Sequence, residues 1–510
     1  MGKGRVRRLP PLKLLLICSI ISLLSMSPEM YQSIINQPAD IIKEFVNGSM
    51  YAHYGLALSR TGLETLWGAI VASLDFGAVI GSLLIGVTAE RWGRRDTVLL
   101  LNPLIMIASS LAQFLAYYAN AFELLIIGRL LIGANLGLAT VVALMLCESV
   151  PTAWRGALGA LPSLFYALWV TFGTVLSLRE LLGTPDGWPW LLGFGVLPAV
   201  VSILFRFLIP MSPKHLYISQ GDRLGATAAI QFYHCTKDPA LIDEAPSSCL
   251  LSSTGNEWGK EWTGAGGDAE ELGLLAIFRE AHLRRAFWVA LVTVAAIDFA
   301  GIDVAMAYSN TVLSSLGLDP AASSLGVILT QLPGILFCVI CLFLIEHLGR
   351  RTLLFIALLC GVLGNLLFAF AKLLPALSLP ALILVYANHH GGLAPIANIA
   401  TGEVCPQSIR STTSAFAWTA NWGLSTLIVF VFPPLEAALG PNIFWVFVAA
   451  CLATLVWEAV YFPETANKSV GEISQAWIVS TKGSIRNVPV ESTPLLKQRL
   501  ADEEAPPLLY

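Results

Sequence analysis

Apolar runs of bilayer length recur along the whole chain. A membrane-crossing helix needs roughly 20 apolar residues. Twelve stretches meet that requirement: 12–31, 62–88, 97–119, 122–150, 155–178, 188–210, 286–309, 322–346, 352–372, 379–403, 411–433 and 440–462. Polar residues collect between them. The longest polar interval, 211–285, has Gly, Ser, Asp and Glu clustered between Lys237 and Glu271, and it divides the spans six and six. The pattern predicts an all-α membrane protein with an N-terminal bundle over 1–210, a linker over 211–285, a C-terminal bundle over 286–465 and a tail over 466–510.

The first span admits two readings. Lys3, Arg5, Arg7, Arg8 and Lys13 open an apolar run that ends at Ser27-Pro28, which resembles a cleaved signal peptide. Removal would leave five spans against six, and the internal repeat described below argues for keeping it. The same basic residues, with Arg91, Arg94 and Arg95 after span two and Arg350 and Arg351 after span eight, fall on one side if both termini are cytoplasmic, as the positive-inside rule requires. The interval Tyr31 to Thr61 then lies outside. It carries the sequon Asn47-Gly48-Ser49, a candidate for glycosylation, whereas Asn467-Lys468-Ser469 lies on the cytoplasmic side and stays bare.

Composition strengthens this picture. Hydrophobic residues make up 56% of the chain and charged residues 13%, against about one quarter charged in a soluble domain. The mean hydropathy is +0.71. Lipid is therefore the solvent for most of the surface, which excludes disorder, collagen and secreted disulfide scaffolds. A net charge of −4 gives no basic excess for nucleic acid. The nine cysteines show no metal-type pairing, and Cys338 and Cys341 lack the polar context of a redox pair. No nucleophile–base set or ligand cluster points to an enzyme or a cofactor.

Two unlike motifs repeat at nearly one offset. Glu90-Arg91-Trp92-Gly93-Arg94-Arg95 recurs 256 residues on as Glu346-His347-Leu348-Gly349-Arg350-Arg351. Glu148-Ser149-Val150-Pro151 with Arg155 recurs 255 residues on as Glu403-Val404-Cys405-Pro406 with Arg410. The halves are therefore duplicates. An acid ending one helix can pair with an arginine opening the next, and arginines can cap helix C-termini. Four such clusters on one face are expected to latch the two halves together on the cytoplasmic side.

These residues resemble the major facilitator superfamily and, within it, the sugar porter family. The signature residues are Gly86 to Arg95, Gly128-Arg129, Glu148 to Gly156, Ser212-Pro213-Lys214 and Pro463-Glu464-Thr465, in order. Ile35-Asn36-Gln37-Pro38, Leu66-Trp67, the stretch from Trp188 to Leu192 and Asn421-Trp422 look like the facilitative hexose transporter branch. The resemblance implies the twelve-helix fold and alternating access around a midplane site on spans one, five, seven, eight, ten and eleven. The implied substrate contacts are Gln32, Ser163, Asp298, Asp303, Gln331, Asn398, Asn421 and Trp422. The chain departs from the family at several of them. Ser163 stands at the span-five glutamine position, and Asp298 and Asp303 stand within a span-seven glutamine and asparagine pattern. Gln331 stands at the span-eight asparagine position and Asn398 at the span-ten tryptophan position. A hexose or related polyol is the leading substrate class. The rival readings are proton-coupled carriage of another polar or cationic metabolite and a non-transporting sensor.

Charges inside spans cost about +2.5 to +3.5 kcal/mol on insertion scales and so mark interior functional positions. Asp75, Glu29 and Asp298 are candidates for a proton or a cationic group. On one continuous helix, Asp298 and Asp303 diverge by about 140°, so they are not expected to face one cavity together. Arg129 reads as structural, and His389 and His390 as hydrogen-bonded core residues. In the tail, Glu491 with Leu495 and Leu496, and Glu504 with Leu508 and Leu509, resemble acidic dileucine signals read by clathrin adaptors. They point to the plasma membrane, endosomes or lysosomes.

Overall fold

A computed structural model describes residues 11–150, 158–159, 161–213, 216, 222–234, 277–317, 319–344, 348–465 and 473. Nine stretches among them are long and apolar enough to cross a membrane. One of these, Thr412–Tyr461, runs through two helices, Gln407–Leu439 and Phe444–Tyr461. Leu161–Leu176 is a shorter apolar helix at span five. Span ten is assembled from Ser378–Asn388, a π-helical turn over His389–Leu393, and Ala394–Glu403. All twelve expected spans are thus present as helices, the conformation that satisfies every backbone group without water.

Span one is an integral member of its bundle. Leu14, Cys18 and Ile21 on Leu12–Ser25 are fully buried, packed towards spans five and six. A short 3-10 segment, Ser27–Gln32, continues it.

The repeat is visible in the backbone. Gly93 has φ 81° and ψ 156°, and Gly349 has φ 84° and ψ 157°. Each turns the chain sharply from span two or eight into the arginine that opens span three or nine. Only glycine adopts this conformation freely. Duplicate sequence therefore produces a duplicate corner.

Two findings depart from the sequence reading. The outer interval between spans one and two contains a helix, Ala39–Tyr54, ended by Gly55 at φ 65°. Its buried face includes Ile42 and Val46, and Phe45 meets the Trp188 ring at 5.1 Å. The second departure is in span seven, which is broken into Ala281–Phe299 and Ile302–Ser315 with Gly301 at φ 83° between them. Asn365 of span nine donates to the Ala300 carbonyl at 3.0 Å and secures the break.

Glycine also sets the closest helix contact. On span two, Gly77 and Gly81 face Gly133 and Gly137 on span four, and a Cβ on any of them would strike the opposing backbone. This is small-residue packing of the kind that brings membrane helices together. Across the halves, spans two and eleven pack together, as do spans five and eight.

Candidate functional site

Polar side chains from both halves meet at mid-depth. On span one, Gln32 Nε2 donates to Glu29 at 2.6 Å, and Tyr166 of span five donates to Gln32 Oε1 at 3.1 Å. Glu29 is 6% exposed, so it sits inside the bundle. The Tyr166 ring lies 5.7 Å from the rings of both His389 and His390. Those histidines are buried, as expected, but as ring contacts: His389 Nδ1 has no hydrogen-bond partner. The π-helical turn there, a feature common at functional sites, sets both imidazoles toward Tyr166.

Gln331 bridges the halves. Its Nε2 donates to Thr174 Oγ1 at 3.0 Å on span five and to the Tyr386 hydroxyl at 3.2 Å on span ten. On span eleven, Asn421 Nδ2 donates to Asp298 Oδ2 at 2.6 Å. Asp303 comes within hydrogen-bonding reach of Asp298. That corrects the expectation that the two diverge, because the 140° separation assumed an unbroken helix and Gly301 interrupts it. Asp75 and Ser425 adjoin the pair from spans two and eleven. Arg129 of span four is 1% exposed. Its donors cap the carbonyls of Ile70, Val71 and Tyr31, which bears out a structural role, and it lies within electrostatic reach of Asp75.

The remaining expected contacts are more peripheral. Ser163 is half-buried one turn before Tyr166. Trp422 is half-buried against the core with its Nε1 unpaired. Asn398 is exposed and donates to Ala394 O in its own helix at 3.0 Å, so it stands apart from the closed cluster. Tyr166, Thr174, Tyr386 and Ser425 belong to the site without having been signalled by the sequence. Each was one hydroxyl among many in an apolar run.

The repeated acid–arginine motifs form ion pairs within halves. Asp96 binds Arg95 at 2.7 Å and Arg206 at 2.9 Å. In the other half Arg350 meets Glu403 at 3.4 Å. Glu464 accepts from the backbone N–H groups of Arg350 and Arg351 at 3.1 and 3.2 Å, and Thr465 donates to Glu403 at 2.5 Å. Among the described residues these pairs tie neighbouring helices of one bundle, and about half of the partners named for a latch across halves lie outside those residues. Asp96 and Glu464 were not among the expected partners. Arg155 and Glu346, the side chains of Glu90, Glu148 and Arg410, and the tail residues Glu491, Leu495, Leu496, Glu504, Leu508 and Leu509 lie outside the described residues.

The halves are also joined at the end of the bundles opposite these motifs. Asn36 donates to Ser309 at 2.7 Å and accepts from the Asn310 backbone N–H at 3.2 Å, while Gln37 donates to Ser324 O at 3.3 Å. The outer helix anchors nearby. Ser49 donates to Asn120 O at 2.5 Å and accepts from Phe122 N at 3.2 Å, so the sequon's hydroxyl is buried while Asn47 remains half-buried.

The family model described as Sugar (and other) transporter matches residues 17–477. The chain is 29% identical over 460 residues to the solute carrier family 2 facilitated glucose transporter member 5 of Bos taurus, covering 88% of each. It is 30% identical over 454 residues to member 9 of Pongo abelii, covering 87% of this chain and 77% of that one. The solved structure of the major facilitator superfamily proton:xylose symporter XylE bound to 6-bromo-6-deoxy-D-glucose aligns with a TM-score of 0.73 at 20% identity, over 91% of this chain and 98% of the other.

Proposed function

Because the chain belongs to the sugar transporter family of the major facilitator superfamily, a family of membrane carriers rather than enzymes, we propose that it moves a hexose or closely related polyol by alternating access. The observation that carries this reading is the mid-depth meeting of neutral amides and hydroxyls from both halves. Gln32, Gln331 and Asn421 can each donate and accept, as recognition of sugar hydroxyls requires, and Tyr166, Thr174 and Tyr386 extend that set. Trp422 supplies an apolar face, and Ser163 and Asn398 complete the contacts as the site opens. The cross-half hydrogen bonds of Asn36 and Gln37 and the within-half ion pairs fit a cycle in which the bundles rock about the shared site.

Uptake of a labelled panel of glucose, fructose, galactose and xylose into proteoliposomes tests the reading. Saturable entry of one sugar, competed by its unlabelled form, is expected. Entry no faster than in empty liposomes for every member would overturn it. A second reading, carriage of a cationic metabolite, draws on the carboxyls Asp75, Asp298 and Asp303, and the same panel extended to small amines separates the two.

We further propose that the two dileucine segments of the tail recruit clathrin adaptors and distribute the carrier between plasma membrane and endosomes or lysosomes. Changing Leu495 and Leu508 together to alanine is expected to hold it at the cell surface, and an unaltered distribution would sink that idea. Asn47 is proposed to carry glycan on the outer side.

A further inference from the structure

The amides that join the halves opposite the repeated motifs lie on one short strap of chain, and that strap is tied down on both sides. Upstream, Ser33 Oγ donates to Val170 O of span five at 3.0 Å and accepts from Thr174 Oγ1 at 3.1 Å. Downstream, in the second turn of the outer helix Ala39–Tyr54, Lys43 Nζ lies 2.8 Å from both carboxylate oxygens of Glu64 on span two. The same ammonium stands 5.7 Å from the centre of the buried Trp67 ring. Both tethers belong to the N-terminal half. Between them the chain turns through Pro38, and Asn36 and Gln37 reach across to Ser309, Asn310 and Ser324 of the other half. Span two meets that half close by: a Cβ on Gly68, one turn after Glu64, would stand 2.8 Å from the Phe430 carbonyl oxygen of span eleven.

The Lys43–Glu64 pair differs from an ordinary surface pair. Exposed pairs contribute little because water and salt screen them. Here the Lys43 side chain is 12% exposed and that of Glu64 24%, and a tryptophan face is a favourable seat for the ammonium. Removing either partner leaves a poorly hydrated charge alone, so the pair is hard to open. We propose that Lys43 and Glu64 are positioning residues for the transport cycle, holding the strap from Ser33 to Lys43 in the shape that lets Asn36 and Gln37 close the outer end. They touch no solute and act through those two amides. Because both tethers sit in one half, rocking leaves them intact, and the strap travels with its bundle as a preformed edge. The amides then return to their partners without first being ordered. Freeing even one residue of the strap costs closure roughly tenfold, since that residue is fixed anew in every turnover. Neither residue belongs to the signature motifs of the sequence, and the proposal rests on the carrier reading given above.

Two measurements on the full chain in lipid test it. Spin labels at Tyr118→Cys and Ser314→Cys, exposed positions at the outer ends of spans three and seven, report the opening of that end with no solute present. Lys43→Met and Glu64→Gln are each expected to shift the label distances toward longer values. The exchange of Lys43→Glu with Glu64→Lys restores the attraction with its signs reversed and is expected to return the distances to those of the parent. Parent-like distances in both single variants overturn the proposal. So does an exchange that stays as open as the single variants, because packing rather than charge would then be at work. An unfolding scan checks that each variant is folded. The second measurement follows D-glucose, D-fructose and D-xylose in proteoliposomes of one orientation. The ratio of the half-saturating concentration for entry to that for exit is expected to fall roughly tenfold in Lys43→Met, because an outer end that closes less readily waits more often facing out. Loss of folded protein alone lowers the maximal rate and leaves this ratio unmoved, and an unchanged ratio overturns the proposal. Absence of movement of every sugar by the parent counts against the carrier reading, and the label distances then decide the role of the ion pair alone.

Discussion

Single residues at the site carry burdens that their neighbours make measurable. Asn421→Ala removes the donor at 2.6 Å from Asp298 and leaves a buried acceptor unpaired, a loss of about 1–3 kcal/mol. A lowered unfolding temperature with a raised apparent KM for the transported sugar is the expected outcome. Asp75→Asn removes the nearest carboxyl on the opposite half while keeping its shape. If a proton travels with solute, parent uptake rises as the pH on the solute side falls, and Asp75→Asn flattens that profile between about pH 5 and 8. Initial rates across that range check it. Asp75, Asp298 and Asn421 were legible because a charge or amide in an apolar run is conspicuous. Tyr166 and Ser425 were not, because a hydroxyl costs little in a span and its importance depends on partners from distant segments.

Helices show where local rules sufficed and where they failed. The twelve spans followed from apolar length, although helices such as Gln407–Leu439 run several residues past the apolar stretch 411–433, and the repeated glycine corner followed from duplicated motifs. The outer helix Ala39–Tyr54 was missed because its 16 residues are amphipathic and lack the continuous apolar run that marked the spans. The angle between Asp298 and Asp303 was misjudged because Gly301 reads as an ordinary glycine in a membrane helix, where glycines are frequent. Gly301→Ala is expected to cost about 1–2 kcal/mol from its left-handed backbone alone, and the new Cβ would lie 3.1 Å from Asn365 Oδ1. Thermal unfolding in detergent reads that loss. Gly133→Val places branched bulk against the Leu74 carbonyl of span two. A loss of about 1–3 kcal/mol or more is expected from such overpacking, and poor recovery of folded protein would accompany it.

At the level of the molecule, the two-bundle plan was plain from the repeat, but the partners of the repeated acids and arginines were not. Sequence order puts an acid and an arginine on one face without saying which bundle each addresses. The structure puts the cross-half hydrogen bonds of Asn36 and Gln37 at the outer end. Asn36→Ala deletes two of them, at about 1 kcal/mol each, and should shift the population toward outward-facing forms. Spin-label distances between the outer ends of spans one and seven would lengthen if so. The inner end has a different consequence. Glu464 and Thr465 fasten the chain leaving span twelve to the first turn of span nine and to Glu403 at the foot of span ten. Whatever grips the residues beyond 465 therefore holds a cord knotted to three moving rods, and machinery that sorts the carrier would tug on its turnover as well as its address.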